Sequence, residues 1–177
     1  MNYKIEKVIS EKEISKRARE IAEQINKDYE GEIVHLVGIL KGSVMFLCEL
    51  SKYITVGVTM DFMSCSSYGD GTTSTGHVKL LKDLDQSIEG KNVLIVEDIV
   101  DTGHTLKYLL KVLALRKPKT LKVCTLLDKP SRREVKGLPV DYIGFEVENK
   151  FIVGYGLDFE QKYRNLPYIG VVEFEEE

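Results

Sequence analysis

The sequence predicts an α/β fold, in which helices flank a largely parallel central sheet, as a single domain spanning residues 1–177. Short apolar runs typical of buried strands, such as residues 33–39 and 93–96, alternate with segments whose apolar residues recur at helical spacing. The length of 177 residues is typical of one domain, and neither an internal repeat nor an interdomain linker divides the chain.

The first half of the chain is predicted to form two helices and two strands. The first helix begins after Ser10, because Ser10 and Glu13 have the spacing of a capping box, and Gly31 follows it as a stop. Its apolar face consists of Ile14, Ala18, Ile21, Ala22 and Ile25. After the strand at 33–39, a short helix is marked by Val44, Leu47 and Leu50. Residues 56–62 then alternate as in a half-buried strand.

The second half continues the alternation. The apolar residues Leu106, Leu109, Leu110 and Leu113 predict a helix that ends near Pro118. Residues 128–139 are polar and contain two of the four prolines, so a surface excursion is expected there, and residues 173–177 form an acidic tail. The predicted strands are residues 78–81, 93–96, 121–127, 140–147 and 151–155.

One segment differs sharply in composition. In residues 64–76, ten of thirteen residues are Gly, Ser or Thr, which cannot build a core. Unstructured loops of this length inside compact domains are usually lids or binding loops, so a flexible lid is expected at residues 64–77.

Composition excludes several classes of protein. Lys and Arg number 25 against 28 Asp and Glu, a net charge of −3, which is not the basic balance of a nucleic-acid binder. The longest apolar run has eight residues, far fewer than the roughly 20 needed to cross a membrane, and the first residues lack the apolar core of a signal peptide. Three widely spaced cysteines fit reduced thiols, so a cytoplasmic protein is expected.

The most informative stretch is residues 93–106, where an apolar strand runs into Glu97 and Asp98, then into the turn Asp101-Thr102-Gly103-His104-Thr105 and a helix. Such a turn offers free backbone N–H groups at a helix N-terminus, which favours a phosphate. The two carboxylates suit sugar hydroxyls, directly or through Mg²⁺. Together they predict a cradle for a ribose 5-phosphate, although the turn alone could be an ordinary helix cap.

This stretch resembles the diphosphoribosyl-binding signature of type I phosphoribosyltransferases, and the whole chain resembles the hypoxanthine (guanine) branch of that family. Four further blocks support the branch: Leu40-Lys41-Gly42-Ser43, Ser66-Ser67-Tyr68-Gly69, Leu127-Asp128-Lys129, and residues 150–158 with Arg164 beyond.

The resemblance implies the type I phosphoribosyltransferase fold, with a small hood over the purine site formed by the N-terminal segment and residues 128–177. It also implies a Mg²⁺-dependent transfer of ribose 5-phosphate from phosphoribosyl pyrophosphate to N9 of hypoxanthine or guanine, giving IMP or GMP and pyrophosphate. A homodimer or homotetramer is implied as well, without nucleic-acid or membrane partners.

The resemblance further assigns roles to individual residues. Asp101 would be the catalytic acid/base at purine N7. The ribose 5-phosphate would be bound by Glu97, Asp98, Asp101, Thr102, Gly103, His104 and Thr105. The pyrophosphate would be bound by Lys41, Gly42 and Arg164, with a cis peptide between Leu40 and Lys41. The purine side would use Lys129, Phe151, Ile152 and Asp158. Metal ligands would be Glu97, Asp98 and Asp158, and Ser67 and Tyr68 would belong to the lid.

Alternatives remain open at this stage. Asp101 could be a turn-stabilising side chain, Lys129 an exposed lysine, and His104, where family members carry Lys, either a pH-sensitive phosphate ligand or a plain exposed residue. His35 is expected to be a core histidine. A regulator that binds nucleic acid and senses phosphoribosyl pyrophosphate is the rival function. A dinucleotide-binding module is set aside, because the chain has no GxGxxG turn after a strand.

Overall fold

The computed structural model describes residues 2–68 and 77–174, with the backbone alone at residues 67, 68 and 77. Within this part the helices are α1 (Glu11–Asp28), α2 (Val44–Ser51) and α3 (His104–Ala114). The strands are β1 (Tyr3–Ile9), β2 (Ile33–Leu40), β3 (Gly57–Tyr68), β4 (His77–Lys82), β5 (Asn92–Val100), β6 (Thr120–Asp128), β7 (Tyr142–Glu146), β8 (Ile152–Val153) and β9 (Ile169–Phe174).

The main sheet has six strands in the order β4-β3-β2-β5-β6-β7. Strands β3, β2, β5, β6 and β7 run parallel, and β4 is antiparallel at the edge. The α/β fold with a largely parallel sheet is therefore confirmed.

Both faces of this sheet are covered, which explains why β5 is apolar at every position from Val93 to Val96. Successive side chains of a strand point to opposite faces. Leu94 and Val96 pack into the core that contains α1 and α2, whereas Val93 and Ile95 pack into the core that contains α3. A strand buried on both faces reads as a continuous apolar run, as it does here.

The predicted capping box at the start of α1 is present. The Ser10 hydroxyl accepts from the Glu13 backbone N–H at 3.3 Å, and the Glu13 carboxylate accepts from the Ser10 N–H at 2.8 Å. Every residue of the predicted apolar face is buried. Gly31, at φ 74°, follows the helix and turns the chain toward β2.

A second, three-stranded antiparallel sheet in the order β1-β9-β8 joins the two ends of the chain. The sequence analysis missed β1 and β9, because each strand depends on a partner far away along the chain: Tyr3 pairs with Phe174. The expected acidic tail was wrong at Glu173, which lies in β9 and pairs with Lys4 at 2.9 Å. The strand expected at 151–155 is reduced to Ile152–Val153.

The expected loop at 64–77 was wrong at its first residues. Ser64–Tyr68 continues β3, since β4 lies alongside and supplies backbone partners such as Leu80 for Cys65. Tertiary pairing overrides composition there. Residues 69–76 and the side chains of Ser67 and Tyr68 lie outside the described residues, and the lid stays a prediction.

The remaining corrections concern element ends. Helix α3 ends at Ala114, a turn before Pro118, and β7 covers only the middle of the strand expected at 140–147. No helix in the described part of the chain is long and apolar enough to cross a membrane.

The packing of α3 generates a stability prediction. Leu109 is fully buried against the sheet, while Leu115, just past the end of the same helix, is 76% exposed. Leu109→Ala should lower the free energy of unfolding by about 2–5 kcal/mol, because it removes buried methyl groups and leaves a cavity. Leu115→Ala, the control, should change it by less than about 0.5 kcal/mol. If urea titrations showed the same loss of unfolding free energy in both variants, the packing of Leu109 described here would be contradicted.

Candidate functional site

The site lies where the topology of the main sheet changes direction. Strands β2 and β5 are neighbours, but the chain continues from β2 to β3 on one side and from β5 to β6 on the other. In open α/β sheets, ligands bind in the crevice at the carboxyl ends of the strands at such a point. The loop after Leu40 and the turn after Val100 both lie at these carboxyl ends, and they carry seven of the sixteen predicted site residues.

The loop after β2 lies directly against the end of β5. The Leu40–Lys41 peptide is cis, as the resemblance implied. A Cβ added to Gly42 would come within 1.6 Å of the Asp98 carboxylate, so only glycine allows this approach. From the other side, a Cβ on Gly156 would lie 1.8 Å from the Gly42 carbonyl oxygen. The Gly42 backbone is thus held between two elements of the site.

Glu97 and Asp98 place two adjacent carboxyl groups at the end of β5. Burial, reinforced by the charge of Asp98, raises the pKa of Glu97 well above its usual range. Burial also raises the pKa of Asp98 to about 6, even though its carboxylate accepts from the Ile99 N–H at 2.9 Å. Neither carboxylate forms an ion pair with any side chain in residues 2–68 and 77–174. The pair is therefore poised for a cation or a hydroxyl-rich ligand.

The turn after β5 encloses a cavity of about 280 Å³ at the N-terminus of α3. Gly103 has φ 93° and packs so closely that an added Cβ would lie 2.5 Å from Leu138. The cavity is lined by Glu97, Ile99, Val100, Asp101, Thr102, Gly103, Thr105 and Leu106. The free N–H groups of the first helical turn favour an anion in this position.

A second cavity, of about 350 Å³, adjoins the first on the side of β6 and β8. Its lining comprises Ile99, Asp101, Lys129, Arg132, Asn149, Lys150, Phe151, Ile152 and Leu157. Ile99 and Asp101 line both cavities. Asp101 therefore lies at the boundary between a site suited to a phosphate and a site with an aromatic wall.

Lys129 is buried in the wall of this second cavity, at 7% exposure. Its ammonium group donates to the Lys150 carbonyl at 2.8 Å, and burial lowers its pKa. The alternative of an exposed surface lysine is thereby excluded. Phe151 is 46% exposed at the cavity, and Ile152 is buried beside it.

The loop after β8 brings the candidate pyrophosphate ligands together. Arg164 pairs with Asp158 at 2.7 Å, and Lys41 and Arg164 both donate to the side-chain oxygen of Gln161, at 3.3 and 3.2 Å. No three His, Cys, Asp or Glu side chains among the described residues form a ready metal site, so Asp158 does not join Glu97 and Asp98 in one cluster.

The segment expected to be a surface excursion supplies contacts that the sequence analysis missed. Arg132 donates to the Asp101 carboxylate at 3.3 Å and lines the second cavity. Arg133 donates to the Asp101 carbonyl at 3.1 Å and forms a close ion pair with Asp128. Two consecutive arginines after Pro130 were the available signal, but a polar segment does not indicate which part of the fold its side chains will contact.

A family model for the phosphoribosyl transferase domain matches residues 6–160 of the chain. The chain belongs to the phosphoribosyltransferase family. It is 52% identical over 174 residues to a hypoxanthine phosphoribosyltransferase of Escherichia coli K12, with 97% of each protein covered. It is 49% identical to a hypoxanthine-guanine phosphoribosyltransferase of Bacillus subtilis, covering 98% of this chain and 96% of that protein.

Solved structures show the same relationship. A hypoxanthine-guanine phosphoribosyltransferase of Bacillus anthracis superposes with a TM-score of 0.90 at 48% identity, covering 98% of this chain and 100% of that one. A hypoxanthine phosphoribosyltransferase of Trypanosoma cruzi gives a TM-score of 0.90 at 41% identity, covering 98% and 94%. The type I fold is confirmed, and the nucleic-acid-binding regulator finds no support in these relatives.

His104, in the turn after β5 of this phosphoribosyltransferase, is a residue for which the sequence left two interpretations open. Its imidazole lies 2.7 Å from the Glu134 carboxylate, and its side chain is 30% exposed. The backbone N–H groups of Glu134 and Val135 also donate to the Thr102 carbonyl. His104 is thus tied to the segment that packs on the turn and is not a plain exposed residue.

The phosphoribosyltransferase has a further cavity, of about 420 Å³, at the amino ends of the strands, far from the predicted site residues. His35 lines it, with Nδ1 2.7 Å from the Thr59 hydroxyl and burial lowering its pKa. Its Nε2 has no partner among the described residues, so the expected core histidine is satisfied on one side only.

The buried carboxylates generate a stability prediction with a defined pH dependence. The pKa of Asp98 is about 6 in the folded chain and has an ordinary value of 3.8, so the folded state binds more protons between these values. Its contribution to stability therefore falls as pH rises from about 4 to about 6. Asp98→Asn should raise the free energy of unfolding by about 1–3 kcal/mol at pH 7.5 and by much less at pH 4.5.

Urea unfolding in the presence of a chelator would test this expectation. Asp85→Asn is the control, since its side chain is 77% exposed. If the difference in free energy of unfolding between Asp98→Asn and the native protein does not grow with pH, burial does not disfavour the charged form of Asp98.

Proposed function

We propose that this phosphoribosyltransferase acts in purine salvage. It transfers ribose 5-phosphate from phosphoribosyl pyrophosphate to N9 of hypoxanthine, and also of guanine, giving IMP or GMP and pyrophosphate. The observation that carries the proposal is Asp101, which lies between the anion cavity and the cavity that contains Lys129 and Phe151. The names of the relatives from Escherichia coli and Bacillus subtilis support the same substrates.

The sugar phosphate occupies the cavity at the start of α3. The 5-phosphate accepts from the hydroxyls of Thr102 and Thr105 and from backbone N–H groups of the turn Asp101, Thr102, Gly103, His104 and Thr105. The ribose hydroxyls lie against Glu97 and Asp98, whose carboxylates would repel a phosphate and therefore orient the sugar.

The purine occupies the second cavity. Phe151 stacks on the ring, the Ile152 main chain hydrogen-bonds the base, and the Lys129 ammonium donates to the O6 oxygen. Adenine carries an amino group at that position, which would leave the Lys129 donors facing N–H groups. The cavity therefore favours 6-oxopurines.

Enzymes of this family use a metal ion, and we assign Mg²⁺ to this one. Glu97 and Asp98 would hold it on the ribose side. Asp158, which forms no cluster with them among the described residues, would hold such an ion separately on the pyrophosphate side. The carboxylates of Glu97 and Asp98 have no ion-pair partner among the described residues. Such hard oxygen ligands fit this cation, which usually takes one or two carboxylates together with water and substrate phosphates. Bound there, it supplies positive charge that neutralises the leaving pyrophosphate.

The chain's own residues account for the remaining chemistry. The C1–O bond to pyrophosphate breaks with its electron pair going to the leaving group, and the N9 lone pair forms the new bond to C1 from the opposite face. Lys41, the Gly42 backbone and Arg164 bind the departing pyrophosphate. Asp101 accepts the proton released from N7. A lid containing Ser67 and Tyr68 would exclude water from the cationic sugar.

The proposal includes the setting of the enzyme. Cys48, Cys65 and Cys124 are free thiols, which supports a reducing cytoplasm. We propose self-association as a dimer or tetramer. A structure of the Trypanosoma cruzi relative concerns the role of its C-terminal region in its oligomeric state, which is consistent with self-association. We infer no nucleic-acid or membrane partner.

The direct test supplies phosphoribosyl pyrophosphate and Mg²⁺ with one base at a time and measures pyrophosphate release. Hypoxanthine and guanine should support release, and adenine should support at least about a hundredfold less, as expected when a buried polar group is left unpaired. Tight binding of phosphoribosyl pyrophosphate without release with any base would refute the enzymatic function.

Asp101→Asn tests the assignment of the base. The amide keeps the shape of the turn but cannot take up the N7 proton, so kcat should fall by about 10²–10⁴-fold. The affinity for phosphoribosyl pyrophosphate should change little, because backbone groups bind the phosphate. Asp85→Asn again serves as the control. An unchanged kcat in Asp101→Asn would leave Asp101 with a structural role in the turn.

A further inference from the structure

Five aromatic rings form a cluster beside the purine cavity, and they come from four separate segments of the chain. The aromatic cluster consists of Tyr3 of β1, Phe151 before β8, Phe159 and Tyr163 of the following loop, and Phe174 of β9. Two of these segments, β1 and β9, are the strands that join the ends of the chain in the second sheet.

Phe151 is held in this cluster by two rings. The Phe159 ring lies 5.3 Å from it at 77°, and the Phe174 ring lies 6.5 Å from it at 69°. Phe159 and Phe174 also pack against each other at 6.0 Å and 77°. All three pairs have the edge-to-face geometry that aromatic rings prefer. The orientation of the Phe151 ring is therefore defined by two mutually supporting neighbours.

The backbone at Phe151 is already fixed by other contacts. Its carbonyl accepts from the Val172 N–H at 2.8 Å, and the next residue, Ile152, pairs with Val171 of β9. What remains free is the rotation of the ring about its side-chain bonds. Since Phe151 is 46% exposed at the cavity, solvent would not restrict that rotation, and the neighbouring rings do.

Phe159 and Phe174 do not line the purine cavity in the described part of the chain, whereas Phe151 does. We propose that Phe159 and Phe174 are positioning residues for purine binding, which act by holding the Phe151 ring in the plane that stacks on the base. This inference rests on the proposed function and goes beyond it, because it assigns the affinity for the base partly to rings that do not touch it.

Tyr3 closes the cluster on its outer side. Its ring packs edge-on against Phe159 at 5.4 Å, and its hydroxyl lies 2.6 Å from the Tyr163 hydroxyl. Tyr3 also pairs with Phe174 across β1 and β9. The first strand of the chain thus contacts both positioning rings through Tyr3.

The test compares Phe159→Leu and Phe174→Leu with the native enzyme, using initial rates at varied hypoxanthine and varied phosphoribosyl pyrophosphate. Each substitution keeps apolar bulk but removes a ring edge. The KM for hypoxanthine should rise about two- to tenfold, the range expected for loss of one edge-to-face pair. In Phe174→Leu the KM for phosphoribosyl pyrophosphate should stay within about twofold, since Phe174 lies in β9 and the residues assigned to that substrate lie at the end of β5 and in the loops after β2, β5 and β8.

Two further variants separate positioning from general damage. Phe159→Tyr keeps the ring and should restore the native KM for hypoxanthine. Tyr108→Leu removes a ring from α3, outside the cluster, and should leave both KM values unchanged. Because Phe174 contacts Phe159, the neighbour of Asp158, an unchanged KM for phosphoribosyl pyrophosphate is the result that separates positioning of the Phe151 ring from disturbance of the Asp158 loop.

The outcomes are distinct. An unchanged hypoxanthine KM in both leucine variants, or a parallel rise in both KM values without rescue by tyrosine, would overturn the positioning role while leaving the proposed function intact. A native enzyme that releases no pyrophosphate with any purine would overturn the proposed function and this inference together.

Discussion

Two adjacent carboxyl groups at the end of a buried strand are the constraint on which the site depends. Glu97 and Asp98 follow four fully buried residues of β5, and burial raises the pKa of both carboxyl groups. A pair of this kind lowers the stability of the ligand-free chain, because desolvation disfavours both charges. A ligand that brings hydroxyl donors or a cation would offset this cost, because the protein itself provides neither to the two carboxyl groups among the described residues. On the proposed function, part of the affinity for the substrate would come from relieving these unfavourable electrostatics.

On the proposed function, each of the two sheets contributes residues to a different part of the site. The six-stranded sheet delivers the phosphate turn, the carboxylates and the loop of Lys41, all at the carboxyl ends of its parallel strands. The three-stranded sheet carries Phe151 and Ile152 on its short strand β8 and at its edge. Asp101 faces both cavities, so the residue assigned to proton transfer lies where the two substrates have to meet.

Local sequence signals predicted the parts of this structure that depend on neighbours along the chain. The capping box of α1 and the strand–turn–helix unit at 93–106 each lie within a few residues, and both are present. Strands β1 and β9 could not be found in this way, since residues such as Tyr3 and Phe174 become strand partners only after the chain has folded. The same holds for Arg132, whose contact with Asp101 is set by the path of a loop.

Lys129 shows how burial converts a common side chain into a selective one. An ammonium group has three donors, and the Lys150 carbonyl satisfies one of them at 2.8 Å. Lys129 as a whole residue is 7% exposed and lies in the wall of the second cavity, so a ligand that fills this cavity would shield the remaining donors from water. An oxygen on the base then gains a charge-assisted hydrogen bond, whereas an amino group leaves the donors unpaired at a cost of about 1–3 kcal/mol or more. On the proposed function, selectivity for an oxopurine would therefore depend on where the lysine is buried as much as on its charge.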